Sequence, residues 1–498
     1  MKKNNHSPQK QYASPGRKPD FSPKSAAEPA TPRKKVEANR TASSTRPPAR
    51  AENARPKQLY ALAAHQRRIT VIGGGASGMM AAISAAQAAA AAPKEAVQVV
   101  LLEKSPRPGR KLLATGNGRC NITNTDLGAA NYFTQSPLQL TELMHSCRSG
   151  TAHTLLQQLG LLCSAPEDGR IYPWCEQASA VLDILRAALD RLQVVQLCCC
   201  PVTDIRPTAI GFAVTVGGSG LDGVPAPAFT FFSDAVILSA GGGAAPTLGG
   251  CEDGFSLAAR LGHTVISPQP ALTALRSALP YRDTDGRTVD LLPGLKGIRC
   301  QAVAELHCQN TVVARQQGEL QLGDGSLSGI PVLQLSLYYQ QNTDQNLVIN
   351  LLPRLSRQQL LALLSRRRAN LPNLTLEEFL IGTVHKKLGL AVMKLAGLAP
   401  LSRTVGSLSD TQLSDLAHTL QELKLPVTGT LGWEGAQTTR GGVALGELDR
   451  DCGSVLHPGL YLTGEVLDVA GQCGGYNLDW AFCTGFRAGA AAFSHFFE

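Results

Sequence analysis

Apolar and polar positions along this chain change period several times, and the changes mark out its elements. Within RRITVIGGGASGMMAAISAAQAAAAA, the β-branched run at residues 69–72 predicts a strand, the glycines a tight turn, and residues 76–92 a helix of strong formers. VQVVLLEK, at 97–104, predicts a second buried strand closing on an acid. The Gly- and Asn-rich PRPGRKLLATGNGRCNITN reads as loop. Helical periodicity returns at 139–162 and 178–192. Residues 194–216 and 228–238 alternate like strands of a small antiparallel sheet, with GGSGLDGVPAPA as the hairpin loop between them. AVILSAGGG (235–243) is a buried strand ending in glycines, and DGFSLAARLGHTV a short helix. From 268 to 352 the pattern is β-rich. From 353 to 423 it becomes helical, basic and leucine-faced, and strand character resumes from KLPVTGTLGW to RGGVALGEL.

This order predicts an α/β protein: a Rossmann-like domain in separate segments, with an inserted β-rich domain that itself carries a helical subdomain. The boundaries fall at 1–65 for a basic tail, 66–267 for the first segment, 268–352 and 425–442 for the β-rich insert, 353–424 for the helices, and 443–498 for the closing segment. Charge sharpens only the first boundary. Residues 1–57 carry 14 Lys/Arg against 4 Asp/Glu, whereas the rest carry 33 against 34. The overall +9 therefore belongs to a Pro-, Ser- and Lys-rich stretch too poor in apolar residues to offset its ordering entropy. It reads as a disordered, solvated tail, or as a tether to nucleic acid or an anionic surface. No run reaches about 18 strongly apolar residues, so no membrane span is expected. The N-terminus lacks a signal-peptide pattern. The 13 cysteines include no C-x-x-C, which removes zinc-ribbon and thioredoxin-like readings. Free thiols in a reducing cytoplasm are expected.

The chemistry begins at Gly73-Gly74-Gly75-Ala76-Ser77-Gly78, a G-x-G-x-x-G between a predicted strand and a predicted helix. Gly73 permits the tight turn, Gly75 lets backbone approach a pyrophosphate, and Gly78 lets helix and strand pack closely. The helix N-terminus offers free N–H groups and about half a positive charge to phosphates. Glu103, closing the second strand, is placed to accept ribose hydroxyls, which favours FAD or NAD over NADP. Later glycine clusters decide between them. Ala240, Gly241 and Gly242 end one strand, and Gly464 with Glu465 ends another. Gly474, Gly475, Tyr476 and Asn477 then open the last helix, where N–H groups suit the pyrimidine end of a flavin. A phosphate end at Gly73 and a ring end at Gly474 describe one extended cofactor. The alternative for the C-terminal stretch is a plain turn and a helix that packs through its small residues.

The blocks VIGGGASGMMAA, LLEK, GRKLLATGNGRCNITN, LSAGGGA, PALTAL, GELQLGDGSLSGIPVLQLS, TTRGGVALGEL and PGLYLTGEVLDVAGQCGGYNLDWAFCTGFRAG together resemble the BaiN-type NAD(P)/FAD-dependent oxidoreductases. These are bacterial flavoproteins of the glutathione-reductase-like FAD superfamily. The resemblance runs from about residue 68 to 493. It implies FAD as cofactor and the same discontinuous fold, its insert β-barrel-like. It also implies FAD contacts at Gly73 to Gly78, Glu103, Lys104, Gly116, Asn117, Gly118, Arg119, Gly241, Gly464, Glu465 and Gly474 to Leu478. Val202 resembles the residue whose backbone meets adenine. Two departures stand out. Leu322-Gly323 replaces a frequent Phe-Thr, and Cys473 stands where Thr is common.

Other residues admit two readings each. Lys111 and Arg119 would neutralise the pyrophosphate or a substrate anion, or are surface cations. Asn117 and Asn121 organise the loop. Cys120 is redox-active or a packed small residue, and Tyr172 lines the substrate side or packs. His263 is expected to be structural and His385 solvated. The function expected is FAD-dependent oxidation–reduction of a small molecule, with any NAD(P)H donor binding transiently at the ring face. The alternative is a flavoprotein that associates with or modifies nucleic acid through its basic tail.

Overall fold

The structure is a computed structural model that describes residues 67–92, 97–147, 151–165, 168–218 and 228–497. The expected tail and most of the 217–228 loop lie outside the described residues. The first strand, β1 (Arg67–Ile72), is buried along all but its first residue, and its glycine turn leads directly into α1 (Ala76–Ala91). β2 (Val97–Leu102) follows, then α2 (Ala178–Arg191), β3 (Val195–Leu197), β4 (Ala235–Leu238) and, much later, β5 (Leu460–Leu462) and α3 (Tyr476–Ser494). The five strands form one parallel sheet in the order β5-β4-β1-β2-β3. Parallel strands covered on both faces must be apolar throughout, which explains runs such as VQVVLL and AVIL. The chain leaves β1 toward β2 on one side and returns as β4 on the other. A crevice therefore opens at the carboxyl ends of β1 and β4, where ligands bind in sheets of this kind.

α3 closes the molecule against α1 at backbone distance. A Cβ at Gly485 would collide with the Ser77 carbonyl, and one at Gly489 with the Ala81 carbonyl. The Ser84 hydroxyl donates to the Phe486 carbonyl at 2.7 Å. The small residues of FCTGFRAGAAA thus do pack closely, and the turn before them still contributes to the crevice described below.

The inserted region is a closed six-stranded antiparallel barrel of Leu275–Ser277, Ser326–Ser328, Thr311–Leu322, Arg299–Cys308, Gln345–Asn350 and Leu423–Thr430, in that spatial order. Helices Arg357–Asn370, Leu376–Phe379, Lys386–Leu395 and Asp410–Gln421 lie between its last two strands in sequence and share one core with it, Phe379, Leu416 and Leu420 belonging to the same buried cluster as Leu347 and Leu425. A two-stranded antiparallel ribbon, Val265–Ala271 against Thr438–Val443, carries the chain out to the barrel and back.

Three elements differ from the sequence reading. The strand expected through 194–216 breaks after Leu197, because Cys199 adopts a left-handed φ of 55° and turns the chain. The Cys198–Cys200 triplet is therefore a bend whose N–H groups bond back to Glu103 and Ser105, and it does not alternate across a strand. The single helix expected over 139–162 is two, Pro137–Cys147 and Ala152–Gln158, the second capped by the Thr151 hydroxyl. The β-rich stretch contains a short helix, Ile330–Leu335, with Pro331 in its first turn after Gly329 at φ 97°.

Candidate functional site

The carboxyl ends of the parallel strands open into a cleft of ≈ 530 Å³. Its wall begins at the β1–α1 turn. Gly73 sits at φ 101°, and any Cβ there would collide with the Ser239 carbonyl. Gly78 is held as closely to the Gly73 carbonyl, so it packs helix on strand and does not line the cleft. Gly75 is different: a Cβ there would meet nothing within 4 Å. Its backbone borders open space at the N-terminus of α1, and the next residues, Ala76 and Ser77, line the same space. The Ser77 hydroxyl donates to Thr463 Oγ1 at 2.7 Å, and Ser239 Oγ also meets Thr463 Oγ1 at 2.7 Å. This buried hydroxyl cluster joins the start of α1 to the ends of β4 and β5, and only Ser77 of the three was foreseen.

Glu103 stands at the end of β2. Its Oε2 accepts from the Gly74 N–H and its Oε1 from the Ser105 N–H, each at 2.7 Å. A carboxylate offers about four lone-pair sites, so acceptor capacity remains beyond these two bonds. Lys104 reaches Asp253 at 3.2 Å. Beside them Cys200, Pro201 and Val202 complete this end of the cleft.

The middle is formed by Ala240, Gly241 and Gly242 after β4, with Gly241 at φ 75° and open space at its Cβ position. Lys111 and Glu465, read separately in the sequence, form an ion pair here with Nζ–Oε2 of 2.8 Å, both partly buried. Glu465 Oε1 also accepts from the Thr439 N–H at 2.9 Å, tying β5 to the ribbon. Gly464 itself lies behind the wall, its Cβ position against Ser77.

The far end is the turn before α3. Gly474 and Gly475 have φ of 144° and 99°, and a Cβ on Gly475 would lie 2.5 Å from the Thr123 carbonyl oxygen. The Asn477 side chain is committed to the turn, accepting from the Gly471 N–H at 2.8 Å and donating to the Gly471 carbonyl at 2.9 Å. Asp479 N–H is the first bonded within the helix, to the Gly475 carbonyl, so the N–H groups of 476–478 have no intrahelical acceptor. Gly474, Gly475, Asn477 and Leu478 line the cleft, whereas the Tyr476 ring packs edge-on against Tyr132. Asp479 is buried below, accepting from Thr123 Oγ1 at 2.6 Å and the Ala152 N–H at 3.1 Å, and burial pushes its carboxyl up.

Between the ends, Lys111–Gly118 makes a kinked 3-10 segment with Gly116 and Asn117 left-handed. Gly116, Asn117, Arg119 and Asn121 line the cleft, and Gly118 faces outward. Asn121 Oδ1 is buried with no protein partner. The Arg119 guanidinium lies 4.8 Å over the Tyr172 ring and 3.7 Å from Glu176. Leu272, Ile330, Leu333, Gln437 and Thr438, all from the barrel side or the ribbon, form the opposite wall. None of these was foreseen individually.

The remaining candidates sort themselves by burial. His263 is buried between Glu447 and Ser454, at 2.8 and 2.9 Å, and His385 is exposed at the start of its helix. Cys120 is fully buried, and desolvation pushes its thiol up to about 12. Only a thiolate attacks, so a disulfide reagent at neutral pH will modify exposed Cys175 and leave Cys120 intact until the chain unfolds. Peptide mass spectrometry of native and denatured samples checks this.

Open backbone at Gly75 and Gly241, an unpartnered Asn121 oxygen and a cleft that joins two helix N-termini fit a long dinucleotide. Fold and site together define a flavoprotein oxidoreductase whose cofactor is FAD. The chain belongs to the HI0933-like protein Rossmann domain family, matched over residues 67–491. A protein named 3-dehydro-bile acid delta(4,6)-reductase from Clostridium scindens is 34% identical over 79% of this chain and 92% of its own. Two proteins named ribosomal RNA dihydrouridine synthase are more distant. The one from Escherichia coli is 28% identical and the one from Haemophilus influenzae 24%, each over 78% of this chain and 90% of its own. Among the described residues, no helix is long and apolar enough to cross a membrane.

Proposed function

We propose that this protein uses FAD to reduce a carbon–carbon double bond conjugated to a carbonyl in a small, ring-containing molecule, drawing on NADH or NADPH. The names of the relatives support the bond type. A 3-oxo group with Δ4,6 unsaturation and the uracil ring of uridine both present a C=C conjugated to C=O, and reduction of one such bond adds two hydrogens. The net change balances as one hydride from the nicotinamide and one solvent proton, giving CH–CH and oxidised nicotinamide. The observation that carries the reading is the single cleft from Gly75 to Gly475.

In this reading Gly73 to Ser77 and the start of α1 bind the pyrophosphate. Glu103 and Lys104 take the ribose side, and the Val202 backbone meets the adenine. The Lys111–Glu465 pair flanks the middle of the chain of atoms, with Gly116, Asn117, Arg119 and Ala240 to Gly242 around it. Gly474, Gly475, Asn477 and Leu478 present N–H groups at the ring end. Bound FAD supplies the two-electron chemistry between donor and acceptor. The barrel-side wall, with Leu272, Ile330 and Leu333, excludes water over the ring end and shapes the acceptor space.

The identity to the dihydrouridine synthases supports a second reading, in which the acceptor is uridine within RNA. One experiment tests both. The purified protein, given FAD if needed, is reduced anaerobically with NADH or NADPH and mixed with a 3-oxo-Δ4 steroid or a uridine-containing RNA. Flavin absorbance that bleaches and then returns with the steroid is expected. Return with RNA alone would favour the second reading. Protein that takes up no FAD would refute both.

A further inference from the structure

A strip of side chains runs from the ring end of the cleft to the surface. Three short strands, Thr123–Asn124, Arg170–Pro173 and Cys163–Ser164, form a small antiparallel sheet in which Thr123 pairs Ile171, Asn124 pairs Arg170, and Ser164 pairs Tyr172. Successive residues of a strand point to opposite faces. One face holds Thr123, Ile171 and Pro173, all buried, with Thr123 bonded to Asp479 beneath. The other face holds Asn124 with Arg170, Ser164 with Tyr172, and one step further Leu162 with Trp174. The Trp174 N–H donates to the Leu162 carbonyl at 2.8 Å and extends the ladder by that step.

This second face begins inside the cleft. The Asn124 amide donates to the Gly474 carbonyl at 3.0 Å, and Arg170 and Tyr172 line the cleft wall. It ends in solvent, where Trp174 is 71% and Leu162 73% exposed. An isolated exposed apolar side chain is ordinary, but a cross-strand Trp–Leu pair continuous with a cleft wall is an unpartnered platform. Arg119, stacked on Tyr172, puts a cation beside it.

We propose that Trp174, with Leu162, is a specificity-determining platform on which a flat apolar ring system stacks while its reactive end reaches the Gly474 turn. This rests on the reading of the protein as an FAD-dependent reductase. The occupant is a small planar multi-ring compound, and it is not a nucleic acid. Polyanion binding requires cations free to neutralise phosphates. Here Arg119 lies against Glu176 at 3.7 Å and Arg170 against Asp168 at 3.4 Å. Residues 58–498 together carry no excess of positive charge, with 33 Lys/Arg against 34 Asp/Glu.

The test uses the full-length FAD-loaded protein, with a 3-oxo-Δ4 steroid carboxylate and a uridine oligoribonucleotide as acceptor probes. Trp174→Ala should raise KM for the steroid about 10-fold, the size of one lost ring stack, with kcat and flavin reduction by the nicotinamide unchanged. Trp174→Phe should restore most of the affinity. An unchanged steroid KM in Trp174→Ala overturns the proposal. So does an altered oligomeric state with unchanged KM, which would make the platform a contact between copies, or a KM effect confined to the oligoribonucleotide. A wild-type enzyme whose flavin is reduced but which turns over neither probe overturns this proposal and leaves the FAD assignment standing. Absent flavin bands would sink the assignment itself.

Discussion

Gly75→Asp is expected to yield a folded protein that no longer holds flavin. The backbone at Gly75 is extended, at φ −77° and ψ −170°, and a Cβ there meets no atom within 4 Å. Asp is among the best N-cap residues, so α1 should form at least as well as before. Its carboxylate would enter the space next to the helix N-terminus that the pyrophosphate is proposed to occupy. At about 4 Å and an effective dielectric near 20, two like charges repel by about 4 kcal/mol, enough for a loss of affinity of 100-fold or more. Circular dichroism and the thermal midpoint should stay near wild type while fluorescence titration shows the lost FAD binding. Gly73→Ala is the contrasting variant. Its Cβ collides with backbone at a left-handed φ of 101°, so stability and flavin should fall together. Stoichiometric flavin in Gly75→Asp would remove the phosphate end from this turn.

The second large effect is on the fold. Gly485→Val drives a branched side chain into the Ser77 carbonyl, at one of the two points where α3 meets α1 at backbone distance. Neither helix can yield without disturbing the Ser77–Thr463–Ser239 hydroxyls, which tie the start of α1 to two strand ends. Overpacking on this scale costs about 3 kcal/mol or more, and the urea midpoint should drop accordingly. Gly446→Ala, where a Cβ meets nothing and φ is not left-handed, should stay within about 0.5 kcal/mol of wild type. Equal midpoints for the two variants would show that the helix contact is not tight in solution.

The parts of the molecule legible in its sequence are those where local and long-range demands coincide. The β1 turn, α1 and Glu103 were readable because strand pattern, glycine spacing and a terminal acid fall within about 30 residues. The C-terminal turn was readable because two consecutive left-handed residues demand glycine, and Gly474-Gly475 supplies it. The barrel-side wall was not. Its closing pair joins Leu275–Ser277 to Leu423–Thr430, and no local pattern encodes a partner so far along the chain. The Lys111–Glu465 pair, 354 positions apart, was missed for the same reason, although both members had been singled out. Two misreadings were local. Cys199 takes a left-handed conformation without being Gly, Asn or Asp, so nothing in the triplet signalled a bend. IPVLQL has the composition of a buried strand, and only the Gly-x-Pro that overlaps its start marked a helix start.

The hydroxyl bond from Ser77 to Thr463 spans 386 positions. During synthesis the Gly73–Gly78 turn emerges early, and the residues that complete its surroundings are made among the last. Until then α1 has no helix on its small-residue side and the cleft lacks its far wall. Capture of FAD therefore belongs to the final stage of biogenesis, and a chain interrupted before α3 would be a colourless, aggregation-prone target for proteolysis.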